Sequence, residues 1–218
     1  WRDPARTLLG AQQEAWLATG FGASRSAGRK WQVLANQVVM GSIAFPDLLD
    51  GAAVPEDLPE NVRSRLTAAA AAGKAGLPGN MDAWDGYPAA RTRLLQSALD
   101  IDASLVVLAG DTHNGWACEL AHEGQAAGVE FAGHSVTSPG METSLSLFDN
   151  DRLTRELVAF NPQLQWANLN RRGYMALELT PEAASCEWRF MDTIREKSTR
   201  LSGTHRMASA VGSNRFSA

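Results

Sequence analysis

The sequence predicts a layered α/β (α+β) domain, with helices covering a largely mixed β-sheet. Two features of the pattern lead there. The N-terminal half alternates apolar, Val-rich runs with segments of helical periodicity, as strand–helix units do. The C-terminal half instead carries short strand-like runs separated by turns, "GWACEL", "GVEFAGHSVT", "LQWANL", "GYMALELT" and "SCEWRFMDTI", as antiparallel strands do, with one helix interrupting them.

Taken in order, Asp3-Pro4 caps a turn, and Leu8, Leu9, Gln12, Trp16 and Leu17 recur at helical spacing until Gly20 and Gly22, predicting a helix over 9–19. "WQVLANQVVM" (31–40) is apolar on both faces and predicts a strand covered on both sides, with Asn36 and Gln37 as buried, satisfied amides. Pro46, Pro55 and Pro59 mark 41–60 as loop. "ENVRSRLTAAAAAG" (60–73) predicts a helix, and 74–88 is loop again. "PAARTRLLQSALD" (88–100) starts a helix with Pro88 in its first turn and turns Leu94, Leu95, Ala98 and Leu99 inward. A strand at 104–109 and a helix over 151–160 complete the regular elements. Residues 1–197 form the domain, and 198–218, polar and aperiodic, predict a mobile or surface-hugging tail.

Composition limits function. The chain has 218 residues, 44% apolar and 20% charged, enough for a substantial core. A net charge of -4 excludes a broad basic field for nucleic acid, and no apolar run is long enough to span a bilayer. Cys118 and Cys186 are too few for a disulfide framework or a zinc cluster. No phosphate-cradling glycine loop is present. Trp1-Arg2-Asp3-Pro4 is neither a start methionine nor a signal peptide, which suggests a piece of something longer.

The chemistry is concentrated in "LVVLAGDTHNGWACEL" (105–120). An apolar strand runs into Gly110, and Asp111 and His113 follow at once. Ligands of open α/β sheets sit beyond the carboxyl ends of strands, and Asp and His both bind hydrolytic metals. The pattern alone favours a capping Asp bonded to nearby backbone amides over a metal ligand. A rival lies in "GHSVTSPG" (133–140), where Gly133-His134-Ser135 begins like a nucleophile elbow and Asp192 and His205 follow in triad order. The elbow needs a second glycine, where Thr137 stands, and Ser138-Pro139-Gly140 prevents an immediate helix.

Seven stretches in series carry a wider signal: "RTLLGAQQEAWL" (6–17), "WQVLANQVVM" (31–40), "MDAWDGYPAARTRLL" (81–95), "LVVLAGDTHNGWACEL" (105–120), "VEFAGHSVTSPGME" (129–142), "NPQLQWANLNRRGYMALELT" (161–180) and "WRFMDTI" (188–194). Together they resemble the PhoD-like alkaline phosphatase/phosphodiesterase family. The resemblance implies a metallophosphatase-like layered sheet sandwich flanked by helices. It also implies hydrolysis of phosphate mono- and diesters by a metal cluster of iron with calcium, other divalent metals being possible. It implies Asp111 as a metal ligand, and His113 as a ligand or a contact to the phosphoryl oxygens.

His134 sits where the family pattern has no histidine, which makes it a candidate substrate-binding residue at the pocket rim. Asn114-Gly115 departs from the small, serine-rich pair expected there, so the site is not extended to them. Asp85 in "WDGYP" is expected to be structural, accepting from backbone. The family's other ligand motifs, of the "SDCQ", "GDYIYE" and "DDHE" type, do not occur in this chain. The resemblance therefore begins midway through the family pattern and implies the C-terminal half of the domain. The missing N-terminal half is then a partner, alongside a small phosphate-ester substrate. Family members are typically exported, so a periplasmic or secreted location follows by resemblance. The competing readings are a non-catalytic α/β fragment acting as a binding scaffold and, less favoured, the serine hydrolase.

Overall fold

The computed structural model describes residues 1–50 and 54–217. Two sheets and a set of helices form three layers. The larger sheet has the order β1-β2-β4-β3-β5, with β1 (Trp31–Ala35), β2 (Ser104–Ala109), β3 (Gly115–His122), β4 (Gln125–Ala132) and β5 (Leu164–Asn168). Strands β1, β2 and β4 run parallel, whereas β3 is antiparallel to both β4 and β5. The smaller sheet is an antiparallel meander of β6 (Gly173–Leu179), β7 (Ala183–Met191) and β8 (Leu201–Ala210). A layered α/β fold with a mixed sheet is thus what the chain forms.

The alternation of side chains along each strand divides the core in two. Leu105, Val107 and Ala109 of β2 join α1 (Ala11–Ser26), α3 (Pro88–Leu99) and α5 (Asn150–Phe160) in one cluster. Val106 points the other way, with Ala117, Val129 and Phe131, onto Ala184, Cys186, Trp188 and Phe190 of β7. The run "LVVLA" has no polar face because neither face meets water. Cys118 and Cys186 are free and buried, one in each cluster.

Helix α3 starts with Pro88 in its first turn and buries Leu94, Leu95 and Ala98, as predicted. Helix α5 is capped by the Asp149 carboxylate, which accepts from the Asp151 and Arg152 amides, and it buries Leu153 and Leu157. Helix α2 spans Glu60–Lys74.

Four expectations are corrected. Helix α1 does not stop at Gly20 but continues to Ser26. Each glycine costs only about 1 kcal/mol of propensity, and buried Phe21 together with Arg25, bonded to Ile101 O and Asp102, holds the second half. Trp16 in the same helix faces solvent, 70% exposed.

Strand β1 ends at Ala35 and is a sheet edge with only Gln32 fully buried, so it is not covered on both sides. Past it, Asn36 is half-buried and satisfied: its amide donates to Leu108 O and accepts from Trp84 Nε1. Gln37, by contrast, is exposed.

The predicted tail 198–218 contains β8, paired along its length with β7. Of its inward residues Gly203, His205, Met207 and Ser209, Met207 alone is a large apolar side chain, so the strand period carries little hydrophobic signal. The chain then turns back to the larger sheet. Gly212 N donates to Ser104 Oγ, Asn214 Nδ2 to Ala103 O and Phe216 N to Glu119 Oε1.

Glu130 lies within β4 with no exposed surface. Its two oxygens accept from Met40 N (2.7 Å) and Gly41 N (2.8 Å), and Arg91 Nε donates to Met40 O at 2.7 Å. A buried carboxylate thereby pins the segment after β1 onto the sheet. Burial pushes its pKa up to about 7, opposed by the two amides and by Arg91.

A group raised in the folded state contributes stability that is complete below its unfolded value and is lost as pH rises through about 7. Glu130→Gln removes this titration, so the fall in urea midpoint from pH 5 to pH 8 should be smaller in the variant than in the native chain. His134 and His205, pushed down by burial, contribute the opposite slope to both proteins and cancel in the difference. Superimposable pH profiles would show that Glu130 does not titrate in this range.

Candidate active site at the carboxyl end of β2

Strand β2 delivers the turn 110–114 beyond its carboxyl end. The Gly110 and Asp111 amides donate to Gln37 O at 3.1 and 2.9 Å, so the segment after β1 fixes where the turn begins. His113 N donates to Gly110 O, closing the turn, and His113 takes the left-handed conformation with φ 61°. Thr112 points inward, its hydroxyl accepting from Trp116 Nε1 at 2.8 Å. Asp111 is exposed and His113 half-buried. The sequence-predicted pair therefore shares one turn. The capping alternative is not realised: among the described residues no backbone amide donates to the Asp111 carboxylate.

His113 is oriented from one side. Its Nδ1 lies 2.8 Å from Pro139 O. A carbonyl can only accept, so Nδ1 carries the proton, and in the neutral ring Nε2 keeps its lone pair. That is the arrangement of a metal-ligating histidine, whose second nitrogen donates to a carbonyl or carboxylate.

His134, expected at the pocket rim, is instead 7% exposed and packed beneath the turn. A side chain at Gly115 would collide with its ring, Cβ to Cε1 being 2.4 Å, and Phe190 meets it edge-on at 5.1 Å. Its Nε2 donates to Asn168 Oδ1 at 3.1 Å. Burial pushes its pKa down to about 4, so near pH 7 it is neutral and offers no charge to a phosphate. Its place is structural.

Asp85 sits in a short 3₁₀ turn (Trp84–Gly86), and its carboxylate accepts from the Ser42 hydroxyl rather than from backbone. It lines a mostly apolar cavity of about 310 Å³ with Val39, Phe45, Thr112, Trp116 and Met141.

The serine-hydrolase residues are not brought together. Ser135 Oγ donates to Ser138 O, Asp192 pairs with Arg200 at 2.8 Å, and His205 stacks on Trp166 at 4.3 Å.

Asn114 was passed over in the sequence and proves central. It is wholly buried, and its amide bonds two separate segments. The available signal was a polar amide directly after a candidate site turn and directly before a buried strand.

Among the described residues, no three His, Cys, Asp or Glu side chains converge at metal-binding spacing. Asp111 and His113 are suitable donors, a hard oxygen and an imidazole nitrogen, but they are a partial set. Among the described residues, no helix is long and apolar enough to cross a membrane.

The family model for PhoD-like phosphatases matches residues 1–188. The chain belongs to the PhoD-like phosphatase family. It is similar to alkaline phosphatase D of Bacillus subtilis (strain 168), with 31% identity over 208 residues, 92% of this chain and 30% of that protein. It is also similar to a solved structure of PhoD, with TM-score 0.71 and 26% identity over 99% of this chain and 36% of the other. The fold is therefore shared with the family, and the chain spans 30–36% of the length of these relatives.

Because Ser135 is held by Ser138 O and has no base beside it, Ser135→Ala should change turnover of the complete enzyme by less than about tenfold. Complete loss, together with labelling of native Ser135 by a fluorophosphonate, would restore the serine-hydrolase reading.

Proposed function

We propose that this chain supplies part of the active site of a metal-dependent phosphatase/phosphodiesterase, with Asp111 and His113 as metal ligands. The observation that carries the reading is the Nδ1 contact of His113 with Pro139 O, which leaves an imidazole lone pair on the same short turn as the exposed carboxylate of Asp111, at the end of a central strand. Family membership supplies the reaction class.

Of the two roles weighed for His113, ligation fits better than contact to phosphoryl oxygens, because the neutral ring has no proton on Nε2 to donate. Iron with calcium is the metal set we propose, held through Asp111 oxygen and His113 Nε2. When bound, such cations neutralise charge developing on the phosphoryl oxygens and acidify water. This chain's own contribution is to place the two donors: the Gln37 carbonyl fixes the backbone at Asp111, and Pro139 O orients the His113 ring. Two donors leave most of an ion's coordination unfilled, so we place the remaining ligands in an N-terminal half outside this chain. An exported, periplasmic or secreted setting and small phosphate mono- and diester substrates complete the proposal.

Two outcomes test it. Asp111→Asn should lower phosphatase activity of the complete enzyme at least about a hundredfold while leaving its circular dichroism unchanged. Near-normal turnover and metal content would remove Asp111 from the site. With iron and calcium supplied, the 218-residue chain alone should not hydrolyse p-nitrophenyl phosphate or bis-p-nitrophenyl phosphate, and joining it to its upstream half should restore metal binding and turnover together. Robust turnover by the chain alone would show that the ligands lie elsewhere within it. A joined protein that binds no metal and turns nothing over would favour the non-catalytic scaffold.

A further inference from the structure

We propose that Asn114 is a positioning residue that fixes the ring orientation and tautomer of His113 by clamping the segment that carries Pro139. The inference rests on His113 being the ligand proposed above, although its structural part stands without any metal.

The turn is not self-supporting. His113 has φ 61°, a conformation that non-glycine residues adopt at a cost and keep only when their surroundings enforce it. Its ring partner, Pro139 O, belongs to the irregular stretch between β4 and the short helix α4 (Met141–Ser144). Something must hold that stretch against the turn.

Ser135 N donates to His113 O across 3.4 Å, a long bond near the start of the stretch. At its far end Asn114 holds it, alongside the Arg172–Glu142 ion pair, whose Glu142 carboxylate also accepts from Gly140 N. The Asn114 side chain accepts from Met141 N at 3.0 Å and donates to Leu169 O, just past β5, at 2.9 Å. Both bonds are charge-neutral, the one to Leu169 O is buried and the one from Met141 N half-buried, and the Asn114 side chain has no exposed surface. Removing it would leave a half-buried N–H and a buried C=O without this partner, which the chain can relieve by moving those segments toward water.

Met141 is two residues from Pro139, so its amide fixes the Pro139 carbonyl within a very short span. Close packing supports this: a side chain at Gly140 would lie 2.6 Å from Asn114 Nδ2 and 2.8 Å from its Oδ1. Gly140 is thus seated directly on the amide. Once the clamp is lost, Pro139 O leaves Nδ1, and the ring is free to turn and to place its proton on Nε2. That tautomer has no lone pair where a metal would need one.

The readout is the tautomer itself. The chain has four histidines, so long-range ¹H–¹⁵N spectra of the ring nitrogens resolve each of them, His113 being assigned by loss of its signals in His113→Gln. At pH 8 the native chain should show His113 with its proton on Nδ1. Asn114→Ala should shift it to a mixture or to the Nε2–H form. Gly140→Ala, which leaves the amide in place but pushes the stretch off it, should shift it in the same direction and serves if Asn114→Ala does not fold. Leu153→Ala, a cavity under α5, should destabilise the chain without moving the tautomer.

In the complete enzyme, Asn114→Ala should lower metal affinity about 10–100-fold, as loss of groups that orient a ligand does. An unchanged Nδ1–H signal in folded Asn114→Ala or Gly140→Ala would overturn the proposal, and so would an equal shift in Leu153→Ala. A shifted tautomer in Asn114→Ala, together with metal content and activity indifferent to His113→Gln, would uphold the positioning role and refute His113 as a ligand.

Discussion

The three inner strands of the larger sheet, β2, β4 and β3, are buried on both faces, and that requirement places nearly everything else. Helices α1, α3 and α5 cover one face and the three-stranded meander covers the other. From Leu105 to Ala109 the side chains on β2 are therefore apolar in both directions, and the next polar side chains appear only once the strand leaves the sheet. Asp111 and His113 appear at the first residues where water is available. Burying both faces requires an apolar strand, and the same strand gives the turn a rigid base. Glu130, a fully buried carboxylate within the sheet, is kept by two backbone amides that fix the segment after β1. That segment's Gln37 carbonyl in turn receives the site turn. Core and site are joined through two hydrogen-bonded steps.

What was legible in the sequence was whatever hydrophobic period or turn chemistry encodes. Strand β2 occupies the residues its apolar run predicts, α3 follows its Pro88 and inward leucines, and the switch from parallel to antiparallel pairing follows the change in pattern after residue 110. That Asp111 and His113 share a turn beyond the carboxyl end of β2 was legible because the apolar run stops at Gly110. The resemblance to a phosphatase family rested on ordered motifs and agrees with the family to which the chain belongs.

The rest was hidden for particular reasons. Strand β8 covers the second core with glycine, histidine, methionine and serine, so its alternation lacks the hydrophobic contrast that marks a strand. Helix α1 runs through two glycines because tertiary contacts from Phe21 and Arg25 outweigh local propensity. His134 looked like a rim group from its neighbours in sequence, and only the packing of Gly115 and Phe190 around it reveals a buried ring. The role of Asn114 was hidden because its partners, Met141 and Leu169, lie far along the chain, and its position between turn and strand says nothing of them. Long-range hydrogen bonds leave no period.

The two thiols sit on opposite sides of the larger sheet, Cys118 beneath the helices and Cys186 between the sheets. Burial pushes both upward in pKa, Cys186 to about 12, so neither supplies thiolate in the folded chain near neutral pH. Each becomes reactive only when its own layer opens. Alkylation at Cys118 therefore times the lifting of the helical layer, and alkylation at Cys186 times the parting of the sheets. The chain thus carries a clock in each of its two cores, and the order in which they run would show whether the three layers come apart together or in turn.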